Sequence, residues 1–241
     1  MTLLAVERIK LFSTKSPWWC TFLALAMTIG FAMLFAAVSD GQMSVAMTQA
    51  GYRFGLMVVL VLAALSITTE YRFGTIRATF QAVPNRTAAL LAKTVVVAVV
   101  SLIIGELAAF GSWGVAKLLA PGSDLSFATA DDWRNVAGVG LVFAVSAVLA
   151  VAVGALLRQT AGAVALLLLW PLLVESLVGL VPKVGDDVRK WMPFNAAEHF
   201  LSGTAGVGEM PFGPWGALAY FAAVAVAVWV IALIIVQRRD A

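Results

Sequence analysis

The side chains able to do chemistry are few and scattered. The single histidine, His199, lies outside any His/Cys/Asp/Glu cluster in the sequence, so neither a metal site nor a proton relay is expected there. Cys20 is the only cysteine and has no partner for a bridge. The acid pairs Asp131–Asp132 and Asp186–Asp187 are adjacent in the chain and read as solvated, and no serine stands in a GxSxG elbow. No GxxxxGK[ST] phosphate loop is present, so this chain is expected to hold no nucleotide and no cofactor of its own. Two acids are different. Glu106 lies near the middle of one long apolar run and Glu175 lies within another. An acid facing lipid is costly, so each must face protein or a watery cavity, pair with a donor, or stay protonated. Each therefore has two readings: a polar group lining a solute path, or a helix-to-helix hydrogen bond.

The elements that must position these acids are membrane spans. Of 241 residues, 62% are apolar and 12% charged, whereas about a quarter of a soluble domain is charged. The net charge of +3 comes from scattered basic residues rather than a patch interleaved with aromatics, so nucleic acid is not an expected partner. The expectation is a single all-α integral membrane domain over residues 1–241, with no soluble catalytic domain. Apolar runs at 18–38, 52–69, 94–119, 136–157, 160–181 and 215–236 give six transmembrane helices. The first would rise roughly 31 Å, the thickness of the hydrocarbon core. It starts too late and runs too long for a cleavable signal peptide. Only Arg158 and Gln159 separate the fourth and fifth runs, which demands a tight hairpin or helices that continue past the bilayer edge.

Orientation follows from lysine and arginine, which accumulate in cytoplasmic loops. With the N-terminus inside, the inner segments hold ten: Arg8, Lys10, Lys15, Arg72, Arg77, Arg86, Lys93, Arg158, Arg238 and Arg239. The outer segments hold six, namely Arg53, Lys117, Arg134, Lys183, Arg189 and Lys190, along with acids such as Asp40 and Asp124. Both termini are expected in the cytoplasm. Trp18, Trp19, Tyr52, Trp133, Trp191 and Trp215 fall near span ends, where amphipathic rings meet head groups.

Three stretches lie outside the spans. Residues 1–17 read as an elbow whose helix over 4–12 puts Ala5, Ile9 and Phe12 near one face and Glu7 and Lys10 toward another, with Pro17 at the bend. A frayed tail is the bland alternative. Residues 70–90 form a loop in which Phe73, Ile76, Phe80 and Val83 recur at helical spacing, leaving Glu70, Arg72 and Arg77 available to a cytoplasmic partner. Gly74 weakens its first turn, and Pro84 with Asn85 ends it. Residues 182–214, with Trp191, Phe194, Phe200 and Phe212, are too apolar for a solvated loop and read as outer helices dipping into the interface, turned at Gly203, Gly206 and Gly208. A floppy external loop is the alternative there. The GxxxG spacing of Gly51 and Gly55 is set aside as a chance match in a chain with 20 glycines.

Two stretches, ERIKLFSTKSPWW near the start and ITTEYRFGTIRATFQAVPNR after the second span, make the chain resemble the ABC-2 type permeases, membrane subunits of bacterial ATP-driven exporters. In that family the second stretch looks like an acid, a Gly-Thr pair, a basic residue and a proline followed by a basic residue, here Glu70, Gly74–Thr75, Arg77, Pro84 and Arg86. The six-span layout and the semi-polar segment before the last span extend the likeness over the whole chain. The resemblance implies an N-terminal interfacial helix, a cytoplasmic coupling helix and re-entrant outer helices before the last span. It implies that Glu70, Arg72, Gly74, Thr75, Arg77, Pro84 and Arg86 couple the spans to separate ATP-binding cassette subunits, which would hold ATP and Mg. It further implies a second permease subunit, same or homologous, and residence in the lipids of the bacterial cytoplasmic membrane. Two other readings stay open. One is a membrane anchor or sensor that recruits a cytoplasmic partner, which gives Glu106 and Glu175 no role. The other is an ion-gradient-driven secondary transporter, against which stand the lack of an obvious internal repeat and of multiple intramembrane charges.

Overall fold

Long apolar runs must satisfy their backbone groups internally, and in a chain with no alternating strand pattern the only way is the α-helix. The computed structural model describes residues 2–39, 42–181, 185–203 and 210–238. Asp40, Pro182, Lys183, Gly206, Gly208 and Arg239, and the side chain of Asp186, lie outside the described residues. Among the described residues the protein is all-helical, and six helices are long and apolar enough to cross a membrane. It is a multi-pass membrane protein.

The elements are α1 (Leu3–Phe12), α2 (Ser16–Val38), α3 (Val45–Thr48), α4 (Tyr52–Arg72), α5 (Thr75–Ala82), α6 (Arg86–Leu119) and α7 (Ala130–Leu157). There follow α8 (Thr160–Val178), α9 (Gly185–Arg189), α10 (Pro193–Ser202) and α11 (Pro214–Arg238). The spans are α2, α4, α6, α7, α8 and α11. Because they alternate in direction, the described chain begins and finishes at the same end of the bundle, here the near end. α7 runs through the centre against α4, α6 and α11, and α2 packs on α4 and α6.

Local chemistry sets the boundaries. Pro17 occupies the first turn of α2, where its missing N–H is not needed. α6 begins at Arg86, well before the apolar run expected from 94, because the Asn85 side chain accepts the backbone N–H of Ala88 and caps it. α7 starts with a reciprocal cap between Thr129 and Asp132. α7 and α8 form the tight hairpin, with Arg158 taking a left-handed turn at φ 54°. Within α8, residues Trp170–Val174 form a widened π-turn following Leu169.

Close approach depends on glycine at two helix crossings. A Cβ on Gly51 would lie 2.6 Å from Phe31 Cβ, and one on Gly55 would lie 2.2 Å from Thr28 Oγ1, so both residues of the GxxxG spacing sit against α2. That pattern marks the α2–α4 contact rather than chance. A Cβ on Gly105 of α6 would lie 2.8 Å from the Cα of Gly140 on α7.

Gly74 separates α4 from α5 and is left-handed at φ 71°. The break removes Phe73 from the apolar face expected of this segment. Phe73 caps α4 and is 70% exposed, while Ile76 is buried and Phe80 packs on the core. No atom lies within 4 Å of a Cβ built on Gly74, so replacing it tests backbone strain alone. Gly74→Ala should cost about 1–2 kcal/mol and lower the thermal midpoint in detergent. Gly74→Asn, better tolerated in this conformation, should recover most of the loss. An alanine variant as stable as the parent would show that the α4–α5 turn is not held in this geometry.

Candidate functional site at the near end of the bundle

The near end gathers charge that the linear chain scatters. Lys93, in the third turn of α6, points into the bundle and is 7% exposed. A lysine so placed must find acids or lose its proton. It finds two: its Nζ lies 2.5 Å from Glu7 Oε2 on α1 and 2.8 Å from Glu70 Oε1 in the last turn of α4. Lys10, one turn along α1, donates to Glu7 Oε1 at 2.7 Å and to the Thr79 hydroxyl of α5 at 3.0 Å, with Glu70 Oε1 at 3.6 Å. Two ammonium groups and two carboxylates thus form one neutral network that joins α1, α4, α5 and α6. Glu7 is 6% exposed, Glu70 12% and Lys10 35%. Burial alone would push the Glu7 carboxyl up, but the Lys93 charge and the hydrogen bonds from Lys10 and Lys93 outweigh it and hold it below the usual glutamate value.

The expected elbow helix is therefore seated by its polar side. Glu7 and Leu11 are its buried residues, whereas Ile9 is exposed. The physical reason is that an acid has partners only inward, while an apolar side chain can face lipid without loss. Glu70 is likewise engaged within the bundle and is not a freely available contact for a cytoplasmic partner. Arg86 also turns inward: its guanidinium donates to the Val236 carbonyl at 2.9 Å and lies 5.2 Å from the Phe80 ring. With Gln237 donating to Thr87 at 2.9 Å and Trp229 to Thr94 at 2.9 Å, the end of α11 is fastened to the start of α6. The exposed members of the expected contact set are Arg72, Gly74, Thr75, Arg77 and Pro84.

Between α1, α4, α5 and α6 lies a cleft of about 740 Å³, lined by apolar side chains such as Val6, Leu62, Phe73 and Val96 and by the four charged groups. Sequence reasoning missed Glu7, Lys10, Thr79 and Lys93 as members of a site. The usable signal was Lys93, a cation directly before the apolar run at Thr94, which needs acids within reach once that run is helical.

The two intramembrane acids separate. Glu175 is buried and accepts the backbone N–H groups of Phe194 at 3.0 Å and Asn195 at 2.8 Å, capping α10. Its role is the helix-to-helix hydrogen bond. Glu106 is half-buried beside Gly140, where a Cβ would come within 2.3 Å of its Oε1, and it makes no hydrogen bond or ion pair among the described residues. The structure does not bring either acid to the near-end network. At the far end, Arg53 of α4 pairs with Glu198 of α10, and Arg134 of α7 donates to the Phe200 carbonyl at 2.5 Å. His199 is buried on α10, and no metal-binding group of three His, Cys, Asp or Glu forms among the described residues.

No family model matches the chain, and no curated protein matches it.

Proposed function

We propose that this chain is the permease subunit of an ATP-driven exporter of the ABC-2 type, supplying the path and the mechanical linkage while separate subunits hydrolyse ATP. The observation that carries this reading is the mounting of α5. It lies between two spans, joined to α4 through Gly74 and to α6 through Pro84 and Asn85, with Ile76 buried and Arg72, Thr75 and Arg77 exposed. Thr79 and the ion network tie its inner side to α1, α4 and α6. A force on the outer side of such a helix reaches three helices at once, which a free loop could not do. In this reading the near end is cytoplasmic, in keeping with the excess of lysine and arginine there. ATP and Mg belong to the partner, and a second permease subunit, same or homologous, completes the path. The membrane is the bacterial cytoplasmic membrane, and the far-end helices α9 and α10 are the re-entrant pair.

The test uses Arg72→Glu with Arg77→Glu. Both side chains are exposed, so folded yield should be unchanged. Co-purification with the ATPase encoded beside it should fall roughly ten-fold, since reversing two rim charges sets like against like. Normal ATPase binding and full transport by the double variant would refute a docking role for this face. Glu70→Ala is unsuitable because it breaks the network as well.

A further inference from the structure

The near-end cleft is amphipathic in a directed way. Its walls are apolar, from Leu62, Leu65 and Val96 on the spans to Val6 on α1 and Ala82 on α5. At its rim the polar groups are Ser13, Thr14, Ser16 and the Lys10 ammonium. The network is neutral overall, but Glu7, Glu70 and Lys93 are its buried members and Lys10 is the one most open to the surface. The accessible pole is thus positive. Phe73 also lines the cleft yet is 70% exposed, with the Arg72 guanidinium 5.6 Å from its ring centroid. Depth is fixed by Trp18 and Trp19, both exposed at the start of α2 beside the cleft residues Ser16 and Pro17, where indoles mark the head-group layer. The volume of about 740 Å³ lies within the range of roughly 300–1,000 Å³ that ligand sites occupy.

We infer that this cleft is a lipid site, taking one acyl chain of an anionic diacyl phospholipid between α1, α4, α5 and α6 with the lipid phosphate at Lys10. Charge complementarity selects the head group: a phosphate meets a partly exposed ammonium already oriented by Glu7 and Thr79. The chain covers Phe73 and fills the apolar wall. The occupant would bear directly on α5, since Ala78, Thr79 and Ala82 all line the cleft. The inference rests on the six membrane spans and not on the transport reading, so either can fail alone.

The experiment is photolabelling of the full-length chain in detergent with phosphatidylglycerol carrying a diazirine in its acyl chain, and mapping of adducts by mass spectrometry. Adducts should concentrate on peptides bearing Leu62, Leu65, Phe73 and Val96, and unlabelled phosphatidylglycerol should displace them better than phosphatidylcholine. Lys10→Gln should reduce labelling roughly five-fold, the worth of one cation near an anionic head group, and Lys10→Arg should restore it. Ala82→Trp, which fills the cleft, should abolish it. Adducts equally dense on the outward leucines of α8, equal displacement by both lipids, or labelling unchanged by Ala82→Trp would each overturn the assignment. The displacement measurement on the unaltered chain decides the matter if the variants do not fold.

Discussion

Lys93→Ala should be the most damaging substitution at the near end, costing about 3–5 kcal/mol by leaving buried carboxylates without their cation. Glu7 and Glu70 both depend on that ammonium, at 2.5 and 2.8 Å, and only Glu7 retains a close second partner in Lys10. The expected observation is a large drop in monodisperse protein on size exclusion and a lowered thermal midpoint. The discriminating variant is Lys93→Met with Glu7→Gln and Glu70→Gln, which removes the three buried charges together, leaves only the more open Lys10, and should regain much of the loss. If Lys93→Ala alone melts like the parent, the network is not formed. Acid should act in the same direction. Glu7 titrates below its ordinary value of 4.5 in the folded protein, so its contribution is complete above the unfolded value and is lost as pH falls through the lower folded one. The near end should loosen on the acid side of that window.

Gly105→Val should be nearly as severe, through packing rather than charge. The added Cβ would meet Gly140 Cα at 2.8 Å and the Phe143 ring root at 3.0 Å, and neither a backbone atom nor the base of a buried ring can swing aside. α6 and α7 must separate, and overpacking of this kind costs about 1–3 kcal/mol, with valine at the upper end and alanine below it. Gly114→Ala, on the same helix with no atom within 4 Å of its new Cβ, should instead stabilise α6 by up to about 1 kcal/mol. Opposite signs at Gly105 and Gly114, read as shifts in thermal midpoint, are the signature. A stable Gly105→Val variant would mean that α6 and α7 do not cross here.

The six membrane helices were legible because each is an unbroken apolar run of spanning length, a signal that needs no knowledge of neighbours. The near-end network was not. Glu7 and Lys93 lie 86 residues apart, and a periodicity argument assigns Glu7 to the outward side of α1 because it has no means of seeing Lys93. Lys93 itself was counted as a loop cation, whereas the Asn85 cap starts α6 early enough to carry it into the bundle. Glu70 escapes the argument for the same reason: a polar side chain at a helix end reads as exposed until its partner, here Lys93, is in view. The two intramembrane acids show the limit from the other side. Hydrophobic context identifies Glu106 and Glu175 as needing a reason, but only the placement of α10 reveals that Glu175 has one.

That placement depends on the widened turn in α8. The buried side chains of its first half are Ala163 and Leu167, which fix the azimuth facing the bundle. Glu175 follows Ala163 by twelve positions. At about 100° per residue an unbroken α-helix would leave it about 120° away from that azimuth, looking into hydrocarbon. The π-turn at Trp170–Val174 absorbs one extra residue and reduces the offset to about 20°. The carboxylate thereby reaches the amides of Phe194 and Asn195. Helix phase, not composition, decides whether this acid is a liability or a cap: deleting one residue from the turn should give an unbroken α-helix in which the carboxylate stays about 20° from that azimuth and still caps α10.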